Sequence, residues 1–163
     1  GYELAESTPR PGYEEQIDNE KYEYKPRDFA AARRNGIEDL LTRLNTARAA
    51  HPALRQLRDI YFHPTSDNQI IAYSKRVDAF HSPTGKDDVV LTVVNLDPHG
   101  ARAGEVYLNL EALGLPGWVD ASRPVVRVTD ALTGDSYDWS GQNYVRLDPF
   151  AGQVAHVFSV EPL

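Results

Sequence analysis

IEDLLTRLNTARAAHPALRQL, which runs from Ile37 to Leu57, is the most strongly periodic segment of this 163-residue chain. Its apolar positions recur at close to the i, i+3, i+4, i+7 spacing that places side chains on one face of a helix. The residues with this spacing are Ile37, Leu40, Leu41, Leu44, Ala47, Arg48, Leu54 and Leu57. The spacing predicts an amphipathic helix whose apolar stripe faces a core. Asn35-Gly36 gives its start and His51-Pro52 its end, because the residue before a proline is disfavoured in the α region.

Two shorter helical turns flank this helix in the prediction. Pro52 is suited to the first position of a second turn, since its missing N–H would have no partner there in any case. Upstream, residues Phe29 to Arg34 predict another turn, with the carboxylate of Asp28 as its N-terminal cap.

The segment from Gly1 to Asp28 is rich in Glu, Tyr and Pro and has no sustained apolar period. Two interpretations stay open: a long functional loop lying on a scaffold outside this sequence, or a disordered tail. Within it, Asn19 to Lys25 alternates charged residues with tyrosines. Such a pattern could bind an anionic or hydroxyl-rich ligand, or could be an ordinary solvated loop.

After Leu57 the apolar period becomes two, which is typical of half-buried strands. The run Val89–Leu96 is almost continuously β-branched and predicts a strand covered on both faces. Pro64–Asn68 and Leu132–Asp135 predict turns between strands. The other predicted strands are Asp59–His63, Gln69–Val77, Glu105–Leu110, Val125–Asp130, Ser136–Trp139, Tyr144–Leu147 and Val154–Val160. About eight short strands at this spacing predict an antiparallel β-sandwich.

Composition limits the classes of function. A net charge of −7 argues against nucleic-acid binding, for which a basic surface is expected. No apolar run is long enough to span a bilayer and no signal segment begins the chain, so we expect no membrane partner and a cytoplasmic protein. The absence of cysteine excludes disulfides and thiolate metal sites, and the five histidines are scattered. Because the chain begins with Gly1 and contains no methionine, we expect further sequence upstream.

No phosphate-binding loop, nucleophile elbow or paired-histidine metal motif occurs in the sequence. The aspartates of the strand region precede or follow turns, where carboxylates commonly accept backbone N–H groups; examples are Asp97, Asp130 and Asp148. Trp118, Trp139 and Tyr144 could form a sugar-stacking platform, although core positions are the favoured interpretation for aromatic residues in a small sandwich.

Several separated motifs resemble one family. LNTARAAHPAL (Leu44–Leu54) is similar to the last barrel helix of the α-amylase superfamily, which leads into an all-β C-terminal domain. Four segments resemble, in order and spacing, the C-terminal portion of α-1,4-glucan:maltose-1-phosphate maltosyltransferase. They are NEKYEYKPRDF (Asn19–Phe29), HPALRQLRDIYFH (His51–His63), VNLDPHG (Val94–Gly100) and TDALTGDSYDWSGQNYVRLDP (Thr129–Pro149).

The resemblance implies a retaining enzyme that transfers maltosyl units from maltose 1-phosphate to the non-reducing end of an α-1,4-glucan acceptor, using two carboxylates and no metal or organic cofactor. It implies that Lys21 and Tyr22 bind the donor, where an ammonium suits the phosphate. The catalytic carboxylates are carried by barrel strands that this sequence lacks, so no catalytic residue is expected in this chain and we expect the isolated chain to be inactive. A homodimer is implied for the full enzyme.

The predicted architecture is therefore mainly β. Residues 1–57 are expected to be the final loop and last helix of a (β/α)8 barrel whose upstream part is missing. Residues 58–163 are expected to be an antiparallel β-sandwich C-terminal domain. Two alternatives for the sandwich remain open at this point, a stand-alone carbohydrate-binding module and an assembly domain.

Overall fold

In the computed structural model, which describes residues 1–17, 22 and 24–163, two helices precede eight strands. The helices are α1 (Phe29–Asn35) and α2 (Glu38–Ala50), and a 3-10 turn follows at Pro52–Arg55. The strands are β1 (Ile60–His63), β2 (Ile70–Val77), β3 (Asp88–Asn95), β4 (Arg102–Tyr107), β5 (Val126–Asp130), β6 (Ser136–Trp139), β7 (Gln142–Leu147) and β8 (Ala155–Pro162). A second 3-10 turn, Pro149–Ala151, lies between β7 and β8.

The predicted end of the long helix and the predicted cap of α1 are confirmed, whereas α2 begins at Glu38, two residues after Gly36. Helix α2 ends at Ala50, immediately before His51-Pro52, and the next helical turn begins at Pro52. Asp28 caps α1, since its carboxylate accepts the N–H of Ala30 at 3.0 Å. A polar side chain before α1 and a proline after α2 therefore set these limits, as local chemistry requires.

Contacts divide the chain into two compact units, Gly1–Asn45 and Thr46–Leu163. In the first unit, Glu6 joins distant parts of the loop: its carboxylate lies 3.2 Å from Nε of Arg27 and 3.4 Å from Nζ of Lys25. A bridge between Pro9 and Gln16 closes a local turn. The described residues of this unit are thus tied together by polar contacts, and none of their side chains is buried.

The apolar stripe of α2 is only partly covered. Ile37 and Leu41 are half-buried, whereas Leu40 and Leu44 are exposed. Arg48, which shares the stripe spacing, is exposed as well.

The second unit is built on two antiparallel sheets. The larger has the strand order β1-β2-β3-β8-β5-β6 and the smaller pairs β4 with β7. Side chains from both sheets meet in one core, which includes Leu91 of β3, Phe158 of β8, Val106 of β4 and Leu147 of β7. The predicted antiparallel β-sandwich agrees with this arrangement.

Strand β3 is buried on both faces, as its continuous β-branched run predicts. Leu91 and Val93 face the core between the sheets. Val90, on the opposite face, packs with Val157 and with Ala47 of α2 in a second small cluster. Two-sided burial explains why this strand lacks the alternation of polar residues seen in its neighbours.

Strand β4 differs from its prediction of Glu105–Leu110: it begins at Arg102 and ends at Tyr107. Asn109 ends the extended run because its backbone N–H donates to Nδ1 of His63 and its side-chain oxygen accepts the N–H of Ala112, which turns the chain. Nothing in the local apolar pattern marks this change, since Leu108 and Leu110 continue the alternation.

The predicted turn Leu132–Asp135 is confirmed. Gly134 has a φ of 86°, a left-handed conformation that glycine adopts without strain. Its N–H donates to the carbonyl of Asp130 at 2.7 Å, and the N–H of Asp130 donates to the carbonyl of Asp135 at 2.8 Å. The turn fixes the register of β5 and β6, in which Thr129 faces Ser136.

None of the helices in the described part of the chain is both long enough and apolar enough to cross a membrane.

Candidate functional site

The donor-site prediction names Lys21 and Tyr22. Lys21 lies outside the described residues. Tyr22 lies in a turn, and its side chain is 90% exposed. The role of both residues in donor binding therefore stays a prediction.

The three aromatic residues considered for a stacking platform occupy different environments. Trp139 is 7% exposed and packs edge-on against Phe158 in the core, so the core interpretation is correct for it. The same interpretation is wrong for Trp118, which is 84% exposed, and for Tyr144, which is 63% exposed on β7. Alternation along a strand directs Trp139 inward, whereas Trp118 lies in an irregular loop where alternation gives no information.

Trp118 borders an open cavity of about 670 Å³, which we call the Trp118 cavity. Its lining residues come from the loop before β5 and from the end of β8: Gly114, Leu115, Pro116, Trp118, Val119, Asp120, Arg123, Pro124, Val125, Pro162 and Leu163. Tyr144 is not among these lining residues, so Trp118 and Tyr144 do not share this cavity.

Asp120 and Arg123 are the charged groups of the Trp118 cavity. The Arg123 guanidinium lies with Nε 3.1 Å from the Asp120 carboxylate, and Ser122 donates to the same carboxylate through its hydroxyl and its N–H. Hydrogen bonds from Ser122, and then the charge and hydrogen bond of Arg123, lower the pKa of Asp120. Sequence reasoning missed this pair, although the Asp120–Arg123 spacing is that of a capped turn.

A second cavity, of about 460 Å³, lies beside Arg76 and Tyr61. Two of its charged groups are paired: Arg76 lies 2.7 Å from Asp87, and Nδ1 of His81 lies 2.9 Å from Asp78. The Tyr61 ring packs on the His63 imidazole at 5.1 Å, and its hydroxyl accepts a hydrogen bond from Asn109. With its ring packed on His63, Tyr61 offers a ligand less stacking surface than Trp118 does.

The aspartates predicted to support turns do so. Asp97 accepts the N–H of His99 at 2.8 Å, and Asp148 accepts the N–H of Phe150 at 3.0 Å. Asp130 accepts the N–H groups of Leu132 and Val157. These carboxylates accept backbone N–H groups that have no carbonyl partner in the turns.

Asp130 has a further partner that the sequence did not reveal. It is fully buried, and its second oxygen lies 2.7 Å from Nδ1 of His156. Burial opposes ionisation of this carboxyl, but the hydrogen bonds from His156, Leu132 and Val157 outweigh it and lower the pKa of Asp130. The His156 ring stacks on Phe158 at 4.7 Å, so the pair is packed into the sandwich with no open face.

A similar pair fixes the segment after α2. Asp88, the first residue of β3, lies 2.7 Å from Nδ1 of His51 and accepts the N–H of Ala53 at 2.8 Å. Burial raises the pKa of Asp88, but the hydrogen bonds from His51 and Ala53 more than offset this and lower it. The His-Pro-Ala motif is therefore held to the central strand.

Among the described residues, every buried side-chain nitrogen or oxygen has a hydrogen-bond partner. No group of three or more His, Asp or Glu side chains within residues 1–17, 22 and 24–163 is placed to hold a metal ion. The buried polar groups named above are used for internal structure, whereas the Trp118 cavity places an exposed aromatic side chain beside polar groups at the surface.

The fold places the chain in the class of antiparallel β-sandwich domains. A family model described as "GLGE, C-terminal" matches residues 62–160, and the chain belongs to this family.

Several curated relatives match nearly the whole chain. It is 48% identical over 164 residues to the "Alpha-1,4-glucan:maltose-1-phosphate maltosyltransferase" of Arcanobacterium haemolyticum, with 100% of this chain and 23% of the relative covered. It is 46% identical over 161 residues to the enzyme of the same name from Bifidobacterium longum, and the match covers 99% of this chain and 21% of the relative. It is 49% identical over 166 residues to that of Corynebacterium glutamicum, and the match covers 100% of this chain and 23% of the relative.

The chain therefore spans less than a quarter of the length of these relatives, with coverages of 23%, 21% and 23%, and corresponds to their C-terminal part. The resemblance found in the motifs of the sequence is confirmed at the level of the family.

Proposed function

We propose that the chain works as the C-terminal part of a retaining maltosyltransferase, which transfers maltosyl from maltose 1-phosphate to the non-reducing end of α-1,4-glucans. The observation that carries the proposal is the continuous match, at 46% to 49% identity, to relatives whose names state this donor and acceptor. The two catalytic carboxylates of such a reaction would come from the part of the enzyme that this chain does not contain.

In this proposal residues 1–57, which include the first unit, complete a barrel. The described residues of the first unit bury no side chain, and Leu40 and Leu44 of α2 are 36% and 37% exposed. Two leucines that remain one third exposed at this spacing favour a covering partner, since covering the remaining surface of each would contribute on the order of 0.5 to 1 kcal/mol. The barrel expected upstream is that partner, and residues 1–57 would be its final loop and last helix.

The sandwich has a supporting role in the proposal. Asp88 joins β3 to His51 and Ala53, so the last turn after α2 is fixed to the strand at the centre of the larger sheet. A displacement of the sandwich would therefore shift the end of α2. We expect the isolated chain to release no phosphate from maltose 1-phosphate, and we include a cytoplasmic location and a homodimeric full enzyme in the proposal.

Lys21 and Tyr22 would contact the donor. The ammonium of Lys21 would pair with the phosphate, and the Tyr22 hydroxyl would donate to a phosphate or sugar oxygen. In the full-length enzyme, Lys21→Ala is expected to reduce kcat/KM for maltose 1-phosphate by about 100-fold, as the loss of one charged hydrogen bond would. Tyr22→Phe is expected to reduce it less, because only a neutral donor is lost.

Steady-state phosphate release measures both variants. Lys86→Ala removes an exposed lysine of the sandwich and is the matched control. An unchanged kcat/KM in Lys21→Ala would remove this residue from the donor site, and absence of maltosyl transfer by the full-length enzyme itself would contradict the proposed function.

A further inference from the structure

We propose that Trp118 and the cavity beside it form a glucan-binding site on the sandwich. The site would hold an α-1,4-linked chain of neutral glucose units. The inference rests on the proposed function for its ligand, because α-1,4-glucan is named in the relatives' names, and on the structure for its location.

The exposure of Trp118 is the first observation. Its indole is 84% exposed, while Leu113 and Leu115 of the same loop are buried in the core. Tryptophan offers a large flat apolar face and an N–H donor, and the apolar face of a pyranose ring can lie against such a surface. Leu113 and Leu115 therefore anchor the loop in the core, while the indole of Trp118 remains in contact with water.

The second observation is that the loop displaying Trp118 is held in shape. The N–H of Leu115 donates to the carbonyl of Leu110 at 3.0 Å, and the N–H of Val119 donates to the carbonyl of Pro116 at 3.1 Å. Gly114 has a φ of 89°, which allows the sharp return of the chain. A preformed loop loses little conformational entropy when it binds a ligand, and this favours affinity.

The polar groups indicate the chemistry of the ligand. Asp120 and Arg123 neutralise each other across 3.1 Å, so together they bring no net charge to the Trp118 cavity. A carboxylate accepts hydrogen bonds from hydroxyl groups, and a guanidinium has five N–H donors, of which the contact to Asp120 uses Nε. Such a surface suits a neutral ligand rich in hydroxyls. Phosphate or nucleic acid would instead require unpaired cations.

The size of the cavity agrees with a short stretch of sugar chain. Its volume of about 670 Å³ lies in the range common for small-ligand sites. The cavity is open, as a site must be if the ligand is a segment of a polymer that continues on both sides.

The test uses the full-length enzyme with three variants. Trp118→Ala removes the stacking surface, Trp118→Phe retains a smaller ring, and Phe80→Ala removes another exposed aromatic side chain that does not line the Trp118 cavity. Two quantities are measured: the dissociation constant for glycogen by co-sedimentation, and the ratio of KM for glycogen to KM for maltotetraose.

We expect Trp118→Ala to weaken glycogen binding and to raise the KM ratio by about tenfold, because the apolar surface covered by a sugar ring is lost. Trp118→Phe should fall between Trp118→Ala and the unaltered enzyme, and Phe80→Ala should match the unaltered enzyme. A ratio that does not change in Trp118→Ala would overturn the site. A changed sedimentation coefficient with unchanged glycogen affinity would overturn it too, and would assign the surface to contacts between copies of the protein.

The two proposals fail separately. If the full-length enzyme transfers no maltosyl but Trp118→Ala still weakens glycogen binding, the glucan site stands and the proposed function does not. If transfer is normal and glycogen affinity is insensitive to Trp118, only the glucan site is rejected.

Discussion

His63 shows how one residue can be fixed by its partners. Its imidazole is 4% exposed, its Nδ1 accepts the backbone N–H of Asn109, and its Nε2 lies 2.9 Å from the hydroxyl of Ser74. Since Nδ1 is an acceptor, the proton of the neutral ring is on Nε2, which donates to Ser74. Protonation of Nδ1 would break the contact with Asn109 and place a charge in the interior.

This environment predicts a pH-dependent stability. Burial lowers the pKa of His63 from 6.5 to about 4. Between these values the unfolded state binds more protons than the folded state, so the free energy of unfolding rises with pH. The contribution is complete above about pH 6.5, is lost as the pH falls toward about 4, and amounts to roughly 3 kcal/mol.

Urea denaturation of the chain between pH 4 and pH 7 measures this contribution. His63→Gln removes the titrating group, and the slope of unfolding free energy against pH is expected to become smaller over this window. His99→Gln, at an exposed turn position, is the matched control. An equal slope in the His63→Gln variant would show that other groups cause the pH dependence.

Individual residues also show the limits of sequence reading. The role of Asp148 follows from the Asp-Pro step at a turn, and the structure confirms it. The partner of Asp130 does not follow, because His156 is 26 residues away and is brought close only by the pairing of β5 with β8. The exposure of Trp118 was likewise not predictable, since it depends on which loop residues reach the core.

At the scale of elements, the turn after α2 depends on a single carboxylate of β3. Asp88 holds both His51 and the N–H of Ala53, and Ala53 itself is completely buried. If Asp88 is removed, a buried N–H loses its partner while the turn also loses its link to the sheet. Leaving such a group unsatisfied costs about 1 to 3 kcal/mol.

We therefore expect Asp88→Ala to reduce the free energy of unfolding by about 2 kcal/mol and to increase hydrogen exchange at the amides of Ala53 and Leu54. Denaturation and amide exchange measured by NMR check the two effects. Asp138→Ala breaks an exposed ion pair with Arg127 and is the control, expected to cost less than about 1 kcal/mol. Unchanged exchange at Ala53 would show that the turn is held by packing alone.

The elements with strong local signals were predicted well. Helix α2 has apolar periodicity and a following proline, and β3 has an unbroken β-branched run. Strand β4 was misplaced because its end is set by the hydrogen bond from Asn109 to His63, 46 residues away. Apolar alternation continues past that point, so the sequence contains no local stop.

At the scale of the whole molecule, the two compact units differ in how they are stabilised. The unit Thr46–Leu163 has a core shared by both sheets, whereas the described residues of Gly1–Asn45 are joined by ion pairs and backbone contacts. Ion pairs that remain in contact with water contribute little to stability, and burial of apolar surface contributes most of it.

A polypeptide of residues 46–163 is therefore expected to unfold in one cooperative thermal transition. Residues 1–45 alone are expected to show none, because they have too little buried surface to offset the conformational entropy lost on folding. Circular dichroism during heating of each polypeptide tests this expectation. Loss of the cooperative transition in residues 46–163 would show that the sandwich needs the first unit.

The boundary predicted at residues 57 and 58 concerns the domains of the complete protein and stays a prediction.

The sequence by itself determined the family, the mainly β architecture, the helix before His51-Pro52 and the turn chemistry, because each depends on residues close together in the chain or on an ordered series of motifs. Only the tertiary structure decided that Asp130 pairs with His156, that Asp88 holds the turn at Ala53, and that Trp118 lies in water beside Asp120 and Arg123. These features depend on strand pairing and on which side chains fill the core. Strand pairing and core filling both depend on how the whole chain packs, so a local sequence pattern does not predict them.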